Sequence, residues 1–136
     1  MTEHSAVWSG TQMIIWGAKL VGSRYSAASD SWLPISVTDA PNAGPGHSAI
    51  WTGNEMIVWG GTPQSSPPAV GGRYDPSADA WVRASTDGLP TIRLRHTAVW
   101  TGNSLLVFGG TDSQGAFPDA TYSFSLTKPM YLYKKP

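Results

Sequence analysis

Apolar and polar residues alternate in short bursts along the chain, and three runs break that alternation: Met13-Ile14-Ile15-Trp16, Met56-Ile57-Val58-Trp59 and Leu105-Leu106-Val107-Phe108. A strand with one wet face alternates with period two, so a run that is apolar at every position predicts a strand covered on both faces. Each run follows a second pattern at a fixed distance: His4-Ser5-Ala6-Val7-Trp8-Ser9-Gly10, His47-Ser48-Ala49-Ile50-Trp51-Thr52-Gly53 and His96-Thr97-Ala98-Val99-Trp100-Thr101-Gly102. From each His to the first Gly that closes the run is 13 positions, and the copies begin 43 and 49 residues apart. A period of this size is the mark of a repeat architecture.

The middle copy predicts four strands. Residues 47–51 form the first, Thr52-Gly53-Asn54 supplies the residue types of a tight hairpin, and 55–59 form the second. Gly60-Gly61 ends it, a third strand forms around Gly72-Arg73-Tyr74, and a turn through Asp75-Pro76-Ser77 leads to a fourth at 80–84 carrying Trp81. The first copy follows the same plan through Tyr25 and Trp32, with seven residues from Tyr to Trp as between Tyr74 and Trp81. In the third, 120–126 is the expected third strand and 130–134 the fourth, with Tyr131 where Trp stood. No segment holds the i, i+3, i+4 spacing of an amphipathic helix. The reading is all-β: twelve strands in three sets of four, one domain over 1–136, with units at about 3–43, 46–92 and 95–135.

These units resemble kelch repeats, whose blades carry a glycine pair after the second strand, a Tyr in the third and a Trp in the fourth. Gly60-Gly61, Tyr74 and Trp81 match in full. The first copy matches through Gly17, Tyr25 and Trp32 but has Ala18 for the second glycine, while the third keeps Gly109-Gly110 and Tyr122 and lacks the Trp. The resemblance implies a β-propeller of three blades, its Tyr and Trp filling space between neighbouring sheets. Propellers close with about four to eight blades. Three leave two open ends, and the runs at 13–16 and 105–108 are too apolar to serve as polar caps. The expectation is a homodimer in which blade three of each chain meets blade one of the other, giving a six-bladed ring. The competing reading is a fragment of a longer propeller; the chain begins and ends between blades, which favours the dimer.

Composition narrows the function. Nine Lys and Arg balance nine Asp and Glu, so no net field draws the chain to nucleic acid or an anionic membrane. With no cysteine there is neither a disulfide nor a thiolate metal site, and the compartment stays open. No signal peptide or membrane-spanning run is visible, and cytoplasm is the default.

Candidate chemistry rests on few side chains. His4, His47 and His96 hold one position in each repeat, at the start of the innermost strand near the channel mouth, and imidazole is the commonest side-chain metal ligand. Propeller radius would part them beyond the ~2 Å reach of one ion, so hydrogen bonding between blades is the favoured role and no metal or cofactor is expected. Arg93 and Arg95, in the loop leading to blade three, are the cations offered to a ligand at the mouth. Arg24 and Arg73 precede the third-strand Tyr at matching places, which suggests pairing with turn carboxylates Asp75 or Asp79. Asp112 and Asp119 lack the regularity of a calcium loop. Nothing resembles a nucleophile elbow or phosphate loop. The expected function is a noncatalytic binding module or minimal scaffold, with loops 62–70 and 111–119 facing a protein, peptide or glycan. The alternative, from kelch-type enzymes such as sialic acid isomerases, is a carbohydrate-active enzyme with its site at the central channel. The copper radical oxidases of that family use a Tyr–Cys crosslink, which a chain without Cys cannot form.

Overall fold

The computed structural model describes residues 3–17, 19, 21–62, 71–84, 92–112, 114–116, 121–125 and 132–134. Among them every regular element is a β-strand. Blade one is β1 (His4–Trp8), β2 (Gln12–Gly17), β3 (Val21–Ser26) and β4 (Ser31–Pro34). Blade two is β5 (His47–Trp51), β6 (Met56–Gly60), β7 (Gly71–Asp75) and β8 (Ala80–Arg83). Blade three is β9 (Thr97–Trp100), β10 (Ser104–Phe108), β11 (Thr121–Ser125) and β12 (Leu132–Lys134). Each is an antiparallel four-stranded meander in chain order. The first strands of successive blades, β1, β5 and β9, are neighbours. The expected loop 62–70 lies outside the described residues apart from Thr62, as do Ala18, Asp119 and Tyr131.

One hydroxyl builds the same turn three times. Thr52 donates its backbone N–H to the Glu55 carbonyl (2.9 Å), and its Oγ1 accepts from the Glu55 N–H (3.0 Å). Ser9 does this with Gln12 and Thr101 with Ser104. The residue after the hydroxyl is Gly10, Gly53 or Gly102, with φ between 98° and 113°. Glycine reaches that region without the clash a Cβ would bring.

The register sorts the side chains into two faces per blade. Directly opposed residues share a face. Trp51, Met56, Tyr74 and Trp81 form one row across blade two, and Ile50, Ile57, Arg73 and Val82 form a row on its other side. Trp8, Met13, Tyr25 and Trp32 repeat the first row in blade one. We call the Trp-rich side the leading face and the other the trailing face. Two cores result. In one, the trailing Val7, Ile14 and Trp16 of blade one meet the leading Ala49, Trp51, Met56, Val58, Tyr74 and Trp81 of blade two. In the other, the trailing Ile50, Ile57 and Trp59 of blade two meet the leading Ala98, Trp100, Leu105 and Val107 of blade three.

Burial follows the faces. All five residues of β6 are buried, as the unbroken apolar run predicts. In β2 and β10 the runs are equally apolar, yet burial alternates, and with opposite phase: Ile14 and Trp16 are buried where Met13 and Ile15 are partly open, while Leu105 and Val107 are buried where Leu106 is partly open. Trp16 and Trp59 are 0% and 1% exposed, whereas Phe108, at the same register position, is 57% exposed. Trp81 is 5% exposed beside Trp16, at 4.5 Å between centroids, and its counterpart Trp32 is 51% exposed. Blade one therefore has an open leading face and blade three an open trailing face.

Two sequence expectations shift by register. In blade three it is Phe124, opposite Leu105, that takes the place of Tyr25 and Tyr74; Tyr122 stands two residues earlier, opposite Val107. Leu132, opposite Phe124, takes the place of the fourth-strand Trp that was assigned to Tyr131. Matching by residue type misplaces both, because the strands pair by register and the segment between the second and third strands differs in length from blade to blade.

The seams carry the stability. Trp59→Ala should lower the unfolding free energy by about 3–5 kcal/mol in urea titrations, while Val82→Ala, on an exposed outer strand, should change it by less than about 1 kcal/mol.

Candidate functional site

Of the repeated histidines, His96 is the one that bonds across a seam among the described residues. His96 opens blade three, and its Nε2 lies 2.7 Å from the Ser48 hydroxyl of blade two. Its ring stands edge-on to Trp59 at 4.7 Å between centroids. Below it lies Gly60, with φ 78°, where an added Cβ would come within 2.5 Å of the imidazole Cε1. The glycine is thus required twice, for its backbone and for the space it leaves. Burial lowers the His96 pKa to about 4; the Arg93 guanidinium and His47 push the same way, against a backbone carbonyl contact from Arg93 that raises it. At the first seam His47 donates Nδ1–H to the Gly44 carbonyl (3.0 Å), and its buried Nε2 has no hydrogen-bond partner. His4, at the start of blade one, is exposed.

Of the two arginines offered to a ligand, only Arg95 reaches the surface. Arg93 is internal, 1% exposed. One Nη donates to the Tyr122 hydroxyl (2.7 Å), the other to the Gly109 carbonyl (3.3 Å), and the guanidinium lies 4.3 Å from the Tyr122 ring centroid. Its carbonyl accepts from the Gly61 N–H, and Leu94 exchanges two hydrogen bonds with Thr111. Arg93 therefore ties the lead-in of blade three to β11 and is not free for a ligand. Tyr122, displaced from the expected aromatic row, is its partner. Arg73 pairs with Glu55 at 3.4 Å and not with a turn carboxylate. Arg24 reaches across the first seam to the Pro76 carbonyl, where its charge helps hold the Asp79 carboxyl below its usual range. Asp112 folds its own loop, accepting from the Gln114 and Ala116 N–H groups at 2.9 Å.

The turn carboxylates serve the aromatic rows. Tyr74 donates its hydroxyl to Asp79 (2.7 Å), which also accepts the Ser36 N–H of the preceding blade's tail (3.0 Å), while the Trp81 indole donates to the Ser36 carbonyl (2.8 Å). Burial and the Asp79 hydrogen bond raise the Tyr74 pKa, and the Tyr74 and Ser36 donors hold the Asp79 carboxyl below its usual range. Blade one repeats the internal half of this set, Tyr25 to Asp30 at 2.7 Å.

Two clefts remain. One, of ≈ 470 Å³, opens where the β1–β2, β5–β6 and β7–β8 turns of blades one and two meet, and is lined by Gln12, Arg24, Trp51, Asn54, Glu55 and Asp75 among others. The buried Nε–H of Arg24 has no acceptor. This juxtaposes a cation, two carboxylates, two amides and an indole. The other, ≈ 420 Å³ and nearly all apolar, lies on the open leading face of blade one between Ala6, Trp8, Met13 and Tyr25. Among the described residues, no cluster of three or more His, Asp or Glu side chains is placed to hold a metal ion.

Three face-to-face meanders joined along their first strands define a β-propeller-like arc. No family model matches the sequence, and no curated protein does. Among solved structures, one described as the structure of YjhT is similar over 98% of this chain and 51% of its own, with a TM-score of 0.76 and 13% identity. The chain thus spans about half of that structure and has its fold over that half.

The seam histidine gives a pH signature. Between pH about 6.5 and about 4 the unfolded chain takes up a proton at residue 96 that the folded chain refuses, so stability is full above that window and falls through it. In urea titrations the midpoint should drop steadily from pH 6.5 to 4, and His96→Gln should flatten that slope while lowering the midpoint at pH 7.

Proposed function

We propose that the chain is half of a kelch-type β-propeller, that two copies close a six-bladed ring, and that the ring is a noncatalytic scaffold binding a protein, peptide or glycan. One observation carries the closure. The two open faces have opposite phase, leading on blade one and trailing on blade three, and each repeats the composition of a face buried at an internal seam. Trp8 and Trp32 wait on one, Val99 and Phe108 on the other. Leaving several such side chains in water costs about 1.5–3 kcal/mol apiece, and an apolar surface of that extent marks an association site. A two-fold axis along the ring axis covers both faces in one step. The kelch assignment rests on Gly60-Gly61, Tyr74 and Trp81, with Tyr74 and Trp81 packed together at 5.1 Å.

The rim cleft at the first seam is where such a ring offers a ligand hydrogen bonds, from the Gln12 and Asn54 amides, beside the Trp51 indole and the Arg24 side chain. An oxygen-rich ligand suits that set.

Light scattering on a sizing column should return about 29 kDa, twice the 14.5 kDa of one chain; a stable 14.5 kDa particle would overturn the ring. Phe108→Asp and Trp32→Asp should each give the single-chain mass. For binding, the Trp51 indole resonance should move when oligosaccharide or peptide pools are titrated into the labelled protein, and silence with every pool would reject a ligand at this cleft.

A further inference from the structure

Resting on ring closure, we infer that His4 of one copy and the Thr97, Phe108 and Gly109 of another form an interlock that marks where the two chains join. The second seam supplies the pattern. There His96 enters a niche made by three residues of the preceding blade: Ser48, which meets its Nε2, Trp59, which takes its edge, and Gly60, which lies under its Cε1. The register makes the niche a fixed unit, since Ser48 and Trp59 are direct cross-strand partners and Gly60 is the next residue. In blade three the same unit is Thr97 opposite Phe108, followed by Gly109. It keeps a hydroxyl, an aromatic ring and a glycine with φ 70°.

The niche of blade three is built and empty. A Cβ added at Gly60 strikes His96, but one added at Gly109 meets nothing within 4 Å. Thr97 and Phe108 are exposed, where Ser48 is partly and Trp59 wholly buried. The matching knob is as idle: His4 opens blade one as His96 opens blade three, and it stands exposed. No trailing face lies against blade one in the described arc, and ring closure brings that of a second copy's blade three to this imidazole. The joined pair places the His4 ring over Gly109 and edge-on to Phe108, with the Thr97 hydroxyl on Nε2.

Three variants and one spectrum test this. Because His4 is exposed in the single chain, His4→Ala leaves the arc folded, and the dissociation constant of the dimer, measured by sedimentation, should rise about tenfold. Thr97→Val should act in the same direction, and the double variant should weaken pairing by less than the product of the two effects, because both remove one contact. Gly109→Ala should impair pairing by filling the niche, with Gly53→Ala as the control for positive-φ strain in a blade that already has both neighbours. The His4 Cε1–H resonance should move on dilution through the dissociation constant. A wild-type chain that stays monomeric overturns ring closure and this inference with it. A wild-type chain that pairs, with His4→Ala pairing equally well or the His4 resonance unmoved, overturns the interlock alone and leaves the ring standing.

Discussion

A pleated strand sends successive side chains to opposite sides, so a short apolar strand such as Met56-Ile57-Val58-Trp59 has two faces to cover and no way to cover both within its own sheet. That constraint organises the molecule. Four strands make one blade, and only a second and a third blade, laid against its two faces, bring β6 to full burial. Trp16 and Trp59, at the same register position, are buried at successive seams against different rings, Trp81 at the first and His96 at the second. Within a seam the polar groups follow the apolar ones: Asp79 and Trp81 reach back to Ser36, and Arg24 reaches forward to Pro76, once the sheets are close enough for those bonds to form in a dry place.

The repeat, the strand count and the hairpins were legible because they depend on neighbours in the chain: a hydroxyl and a glycine in each turn, an unbroken apolar run in each second strand. Tyr74 and Trp81 were legible for the same reason, being joined by one turn. Blade three shows the limit. Its register is set by pairing with β10, so position 124 and not Tyr122 stands opposite Leu105, where residue type alone had pointed to the Tyr.

Less of the candidate site could be read. Ser48 and His96 stand 48 residues apart, and their meeting depends on how one sheet is rotated against the next. The cue was present, since a Ser or Thr follows the His in every repeat, but nothing in one copy says that the hydroxyl serves the imidazole of the following blade. Arg93 had the sequence environment of a solvated loop cation. Its burial is settled by Tyr122 and the Gly109 carbonyl, which the fold alone brings to it. Arg24 and Arg73 hold equivalent register positions but different partners, because a blade-two turn comes within reach of the first and Glu55 lies beside the second.

The opposite phase of β2 and β10 has a further consequence for assembly. A surface whose complement lies at the other end of the same molecule joins head to tail, and such contacts can be repeated without limit. Whether they stop is decided by curvature. Six blades turn about 60° each, and two arcs that keep this angle meet after one circuit. Arcs that open slightly, or shift along the axis, pass their own beginning and continue as a filament. The rigidity of the two internal seams, which sets that angle, then decides between a closed particle and a fibre made from the same contacts.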